Sequence, residues 1–222
     1  MRHLPLFLFL LAYSVALHAN EIKGTVYVFT KGDMKLLETL DNSIIYLTGI
    51  ETPPPKEIAI SEQKHGKFSP RLLPVIKGQT VQFYNRDNEK HQLFLKDGKD
   101  NYDFKMFSKE QSREILFDQV GKFILYSNTH KRMIADILVL ENTYFSLTDK
   151  NGKYYIKDIP SGDYTLHAWH IYGGHKKVSV HIKPKTLTVN FRLDSILTPQ
   201  EVRNHLDKNN KKYPLPYLKP KF

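Results

Sequence analysis

Four residues in the middle of the chain could act together at one site: His91, Ser127, His130 and Met133. The last three are spaced three residues apart in a short loop after the apolar run 123–126, and His91 opens a separate strand pattern. Side chains at that spacing on one turn can converge on a point, and a distant histidine can complete it. The pattern predicts a shared site at one end of a β-sandwich.

The elements that must position these residues are predicted to be short strands. Lys77-Gly78 and Val120-Gly121 are turn signals between them. Alternating patterns favour strands at 57–63, 71–76, 80–85, 91–95, 112–118, 121–127 and 134–140. Seven short strands at this spacing predict a β-sandwich domain over residues 57–141.

The flanking segments predict a second, smaller β-unit. Residues 21–51 contain two strand patterns, at 22–30 and 43–48, but no evident core of their own. A meander of strands follows in 142–195. We expect 21–51 to pair with 142–195, with the first sandwich inserted between them. Residues 196–222 form a basic tail, in which Thr198 and Glu201 could cap a short helix at 199–207.

Residues 57–141 resemble the cupredoxins, the blue-copper β-sandwich family. The resemblance rests on Phe68-Ser69-Pro70, on residues 75–87, and on the loop 127–133, which is similar to the family's Cys-x-x-His-x-x-Met copper loop. Gln63 and the segment 148–170 resemble the cupredoxin-like methylamine-utilization proteins. The resemblance implies an all-β fold with a Greek-key sandwich, and copper as the cofactor.

The chain departs from this family at Ser127, which stands where the family has its copper-ligating cysteine. A blue-copper site is built from two histidines, a cysteine and a weak axial methionine. The resemblance therefore implies copper at His91, His130 and Met133, with Ser127 beside them, in a site that is not blue. His65 could assist. A cupredoxin scaffold kept without metal for protein contacts, or a site for another metal or ligand, are the alternatives.

A second group of histidines lies in the segment 148–182, which resembles the carboxypeptidase-regulatory or transthyretin-like sandwich, also called a carbohydrate-binding-like fold. His167 and Trp169 alternate on one predicted strand and share a face, whereas His170 points to the other. The four histidines His167, His170, His175 and His181 could bind a metal. Because no two of them have a spacing typical of metal ligands, we interpret them as polar residues on the faces of strands. Trp169 could stack on a sugar, although a core position is favoured.

The N-terminus predicts export. A short basic start, the uncharged apolar run 4–17 and small residues up to Ala19 are typical of a cleaved signal peptide over residues 1–19. No later run of 18 apolar residues exists, so we expect a periplasmic protein without a stable membrane anchor.

The composition narrows the classes of function and partner. A net charge of +10 in an exported chain favours an acidic periplasmic protein or redox partner over nucleic acid. The absence of cysteine excludes disulfides, thiolate metal sites and cysteine nucleophiles. Without a Gly-x-Ser-x-Gly elbow, paired carboxylates or a glycine-rich phosphate loop, we predict a protein that is not an enzyme.

Overall fold

The computed structural model describes residues 20–32, 34–96, 101–198, 201 and 206–212. The signal-peptide prediction and most of the predicted helix at 199–207 fall outside these residues. The capping hydrogen bonds expected there are present: Thr198 N–H donates to Glu201 Oε2 at 2.7 Å, and Glu201 N–H donates to Thr198 Oγ1 at 3.2 Å. In the described ranges, no helix is both long and apolar enough to span a bilayer.

The all-β prediction is confirmed, and the first sandwich consists of two facing sheets. Its strands are β3 (Ala59–Lys64), β4 (Lys67–Ser69), β5 (Leu72–Ile76), β6 (Gln79–Asn85), β7 (Leu93–Lys96), β8 (Asn101–Asp103), β9 (Ser112–Phe117), β10 (Gly121–Ser127) and β11 (Ile134–Leu140). One sheet has the order β4-β3-β6-β9 and the other the order β5-β11-β10-β7-β8. The β3–β6 and β5–β11 pairs are parallel, and the remaining pairs are antiparallel.

The core of this sandwich follows from alternation that is clearest along β6 and β10. In β6 every second side chain is buried, including Val81, Phe83 and Asn85. Pro74 lies inside β5, which is tolerated because β5 is the edge strand of its sheet and the proline removes no central ladder bond. The alternation points apolar side chains of both sheets at each other, so the core is continuous from one sheet to the other.

The second sandwich is built from strands on both sides of the first in sequence. Its strands are β1 (Glu21–Phe29), β2 (Ser43–Thr48), β12 (Phe145–Leu147), β13 (Lys153–Ile156), β14 (Gly162–His170), β15 (His175–Ile182), β16 (Thr186–Thr188) and β17 (Phe191–Asp194). β1 pairs with β13, β16 and β17, and β2 pairs with β12 and β14. These pairings support the predicted inserted arrangement, while the division into two folding domains stays a prediction.

β1 passes very close to the connection between β16 and β17. A Cβ atom on Gly24 would lie 1.7 Å from the carbonyl oxygen of Val189, while Val189 N–H donates to Lys23 O at 2.9 Å. Only glycine lets the two backbones approach this closely. Gly24 therefore allows β1 to pair in parallel first with β16 and then with β17.

The two sandwiches share an apolar cluster. β11 is buried along its whole length because Ile137 and Val139 point into the first core while Leu138 and Leu140 point outward. The outward side chains meet Ile44 of β2 and other apolar groups of the second sandwich. Burial on both faces explains why β11 is apolar from Ile137 to Leu140. Asp136 is buried in the same strand and forms ion pairs with Arg71 and Lys122.

Truncating Ile44 tests this shared cluster. Ile44 is fully buried, so Ile44→Ala should lower the free energy of unfolding by about 2–4 kcal/mol through lost burial and a residual cavity. Ile60→Ala is the matched control, because that side chain is 52% exposed and should change the free energy by less than about 0.5 kcal/mol. Denaturant titration measures both, and equal effects would contradict the described packing.

Candidate metal centre

His91 is held between β6 and β7 in a fully buried position. Its N–H donates to Phe107 O at 3.1 Å, and Phe107 N–H donates to His91 O at 3.0 Å. Its Nε2 lies 3.0 Å from Asp87 Oδ2, whereas its buried Nδ1 has no hydrogen-bond partner. An ionised carboxylate only accepts, so Nε2 carries the proton and Nδ1 presents a lone pair.

The electrostatics keep this imidazole neutral. Burial lowers the pKa of His91 below its usual value and outweighs the opposing hydrogen bond to Asp87; the nearby His130 lowers it further. Burial alone would raise the pKa of Asp87, but the backbone N–H groups of Gly66 and His65 and the bond to His91 bring it below its usual value. A neutral, oriented imidazole beside an ionised carboxylate is the form that binds metals.

The loop after β10 positions the other candidates. Ser127 Oγ accepts hydrogen bonds from the N–H groups of Thr129 and His130, both at 3.1 Å. Met133 N–H donates to His130 O at 2.9 Å, and Ser127 N–H donates to Met133 O at 3.1 Å. Ser127 and Met133 are both fully buried. The loop is therefore closed on itself with its hydroxyl and thioether directed inward.

The structure brings the two candidate histidines together across the end of the sandwich. The ring centroids of His91 and His130 are 5.0 Å apart with planes inclined by 54°. Nε2 of His130 lies 3.0 Å from Glu89 Oε2, and the His130 side chain is 31% exposed. Each ring thus has its Nε2 at a carboxylate. Asp87 and Glu89 were missed in the sequence, where their only signal is their place shortly before His91.

Two buried amides lie next to this site. Asn85 Nδ2 donates to Glu89 O at 2.9 Å and to Phe107 O at 3.2 Å, which fixes the backbone on both sides of His91. Gln63 is the register partner of Asn85 on β3, and neither its Nε2 nor its Oε1 has a hydrogen-bond partner. His65 is exposed in the β3–β4 turn and contributes its backbone N–H rather than its ring.

The residues present fit a soft or borderline metal. Imidazole nitrogen and thioether sulfur suit copper. The buried Nδ1 of His91 has no hydrogen-bond partner, so its lone pair is available to a metal ion. Within the described ranges, no group of three or more His, Cys, Asp or Glu side chains could hold a metal ion. The candidate set therefore depends on Met133 in addition to the two histidines.

The second histidine group is divided between the two faces of β14. His170 is buried: its Nε2 lies 3.3 Å from Asp41 O, and its Nδ1 accepts from Tyr172 N–H at 3.2 Å. Burial, first among the causes, lowers its pKa to about 4. On the other face, Trp169 packs in the shared apolar cluster with the Lys122 ammonium 4.6 Å from its ring centroid.

Comparison with known proteins leaves the family of this chain open. The family model described as ER membrane protein complex subunit 7, beta-sandwich domain, matches residues 119–220, which is less than half of the chain. No curated protein sequence matches.

The solved structures similar to this chain include cupredoxins and a copper-containing nitrite reductase. A reduced variant of amicyanin is 21% identical, with 45% of this chain and 100% of that chain covered and a TM-score of 0.36. A purple cupredoxin from Nitrosopumilus maritimus is 19% identical, with 37% and 99% covered and a TM-score of 0.35. The Cu-containing nitrite reductase from Thermus scotoductus SA-01 is 21% identical with a TM-score of 0.36. It is matched over 42% of this chain and 24% of its own.

The buried His170 predicts a pH dependence of stability. Below its ordinary pKa of 6.5 the unfolded chain binds a proton that the folded chain refuses until about pH 4, so stability falls as pH drops through this window. At the low-pH end of this window, the proton bound by His170 in the unfolded chain lowers the free energy of unfolding by up to about 3 kcal/mol. Denaturant titrations at pH values from 7 to 4 should show that the free energy of unfolding of His170→Gln falls less steeply with falling pH than that of the unsubstituted protein. His181→Gln, at an exposed position, is the matched control. If the free energy of unfolding of His170→Gln depends on pH as steeply as that of the unsubstituted protein, the buried His170 is not the source of this pH dependence.

Proposed function

We propose that this protein binds one copper ion through His91, His130 and Met133, in a site that is not blue. We further propose that it serves in copper handling or a redox-associated role without being an enzyme. The observation that carries this proposal is the fully buried Nδ1 of His91, which has no protein partner although its ring lies 5.0 Å from that of His130. A neutral imidazole nitrogen without a partner costs free energy in the interior unless a ligand uses it.

The choice of copper follows from the donor atoms. Hard cations such as Ca²⁺ and Mg²⁺ require several oxygen ligands, whereas two imidazoles and a thioether suit copper in either oxidation state. When bound, the ion would supply reversible one-electron chemistry or serve as cargo. The protein residues hold and orient it, and the buried position of His91 and Met133 keeps bulk water from that side.

Ser127 supports a site without blue-copper properties. A serine hydroxyl holds its proton far more tightly than a thiol, so it does not replace the thiolate that gives the family's strong copper bond. Its Oγ already accepts two backbone N–H groups of the loop. The serine therefore preserves the shape of the ligand loop without supplying the electronic contribution of cysteine.

The carboxylates Asp87 and Glu89 would tune the bound ion. Each faces the Nε2 of one imidazole at 3.0 Å, which leaves Nδ1 as the ligating atom in both rings. Such partners fix the ring orientation and raise the basicity of the ligand nitrogen. They also bring negative charge near the ion, which a neutral serine does not provide.

Export to the periplasm and an acidic protein or redox partner belong to the same proposal. Lys131 and Arg132 adjoin His130 and suit an acidic partner, whereas Asp87 and Glu89 balance the basic residues before His91. Gln63 and the segment 148–170 support a relation to the methylamine-utilization type of cupredoxin-like protein. A role in association with amine oxidation would follow from that relation.

Copper titration of the mature protein tests the proposal. We expect one equivalent of copper at this site, with a weakly coloured Cu²⁺ spectrum, and we expect His91→Ala/His130→Ala to bind one equivalent fewer than the unsubstituted protein. His65→Ala is the matched control, because its ring is exposed in a neighbouring turn. Absorption and electron paramagnetic resonance report Cu²⁺. For Cu⁺, protection against unfolding should reach about 2.7 kcal/mol at a hundredfold excess over Kd. Equal copper stoichiometry in all three proteins would overturn the site, and no copper binding by any of them would favour a metal-free interaction or sugar-binding module.

Replacing Ser127 tests whether the ligands converge. Ser127→Cys should give an intense visible thiolate-to-copper absorption, because it restores the donor set of a blue site in a loop of the same length. Ser127→Ala is the matched control: it should stay without that absorption and lose about 1–3 kcal/mol of stability with the two loop hydrogen bonds. A Ser127→Cys protein that binds copper but lacks the band would show that residue 127 does not face the ion.

A further inference from the structure

The face of β14 that carries Trp169 also carries His167, which interacts with His175 of β15 as a second pair of histidines, far in sequence from the first. Nδ1 of His167 lies 3.0 Å from Nε2 of His175. The ring planes differ by only 7°, and the centroids are 5.2 Å apart. The residues are diagonal neighbours, since His167 is paired with Lys177 and His175 with Trp169 in the register. The two rings therefore lie edge to edge, with these two nitrogens facing each other.

We propose that His167 and His175 form a second, surface metal site, which holds a borderline divalent cation, Zn²⁺ or Cu²⁺, between Nδ1 of His167 and Nε2 of His175. The proposal rests on this pair alone and does not depend on copper binding at His91. Imidazole is the ligand type that these two ions prefer, whereas Ca²⁺ and Mg²⁺ do not select it.

The spacing of the two nitrogens is close to that of a chelate. Two nitrogens bound to Zn²⁺ at about 2.0–2.1 Å with a tetrahedral angle lie about 3.3 Å apart. The observed 3.0 Å has to open by only a few tenths of an ångström, and the exposed His175 ring has to tilt so that the two lone pairs, which now face each other, converge on the ion. The proton now between the rings moves to the other nitrogen of its own imidazole, so the cation enters without net loss of a proton from the protein. Water completes the coordination.

His167 is held in place by its own neighbours. Its Nε2 lies 3.0 Å from Thr48 Oγ1, and the Tyr46 ring stacks on it with centroids 4.8 Å apart and planes 9° from parallel. His175 is exposed and can adjust to the ion. One fixed and one adaptable ligand reduce the conformational entropy that binding must overcome.

The charges around the pair act in two opposing ways. Partial burial, and then the neighbouring charge of Lys177, lower the pKa of both imidazoles, which keeps them neutral and able to ligate at neutral pH. For His167, the charge of His175 contributes as well. The same Lys177 ammonium repels a bound cation. Removing that charge should therefore strengthen binding, an effect that a purely structural histidine pair would not produce.

The experiment uses the full mature chain with His91→Ala/His130→Ala as the background, so that the first site cannot contribute. Zn²⁺ is titrated by competition with a chromophoric chelator, and Cu²⁺ by electron paramagnetic resonance. We expect one equivalent of either ion, with zinc-induced shifts of the ring C–H resonances of His167 and His175. Adding His175→Gln should abolish that equivalent, and adding Lys177→Gln should lower its Kd.

The matched control is His181→Gln, because His181 is an exposed histidine of the same strand that pairs with Asp163 at 2.8 Å. It should keep the equivalent. Absence of binding in the background, or binding that persists in His175→Gln, would overturn the proposal and leave the pair as a hydrogen bond between strands. Neither result bears on the site at His91, which is tested with His167 and His175 intact.

Discussion

The hydrogen bond between His91 and Asp87 determines what the rest of the first sandwich can do. It fixes the proton on Nε2 and so leaves an unpartnered lone pair on Nδ1 inside the protein. Asp87 is itself fixed by the backbone of the β3–β4 turn, and Asn85 holds the backbone on both sides of the histidine. The sheet that contains β3 and β6 thus orients a ring that faces a loop of the opposite sheet.

The packing between the two sandwiches gives the site a rigid support on the far side of its sheet. β10 carries Ser127 at its end, and β11 begins directly after Met133. β11 is packed on both faces, since its outward leucines meet the second sandwich. A loop between two strands can hold ligands within tenths of an ångström only if those strands do not shift, and burial on both faces restricts β11 in this way.

Much of the fold could be predicted from the sequence because its signals are local. Alternation placed β6, β10 and β11 within one residue of their observed bounds, and the Thr198–Glu201 spacing predicted hydrogen bonds that are present. The three-residue strands β4 and β8 were missed because they are shorter than any usable period. Within the site, the candidate residues could be named from the loop spacing and the family resemblance, and their role as ligands stays a prediction. The tautomer of His91 was not, since it depends on how Asp87 folds back from a turn.

The two histidine pairs show how surroundings separate similar chemistry. At His91 the ring is buried, and negative charge stands behind each imidazole through Asp87 and Glu89. At His167 the neighbouring charge is the positive Lys177, and the outer ring is open to water. On the proposed function, the first environment offsets the charge of a cation and shields it, whereas the second leaves a cation exchangeable. In the absence of a thiolate, this difference in surrounding charge, rather than the number of imidazoles, would set the order in which the two sites fill.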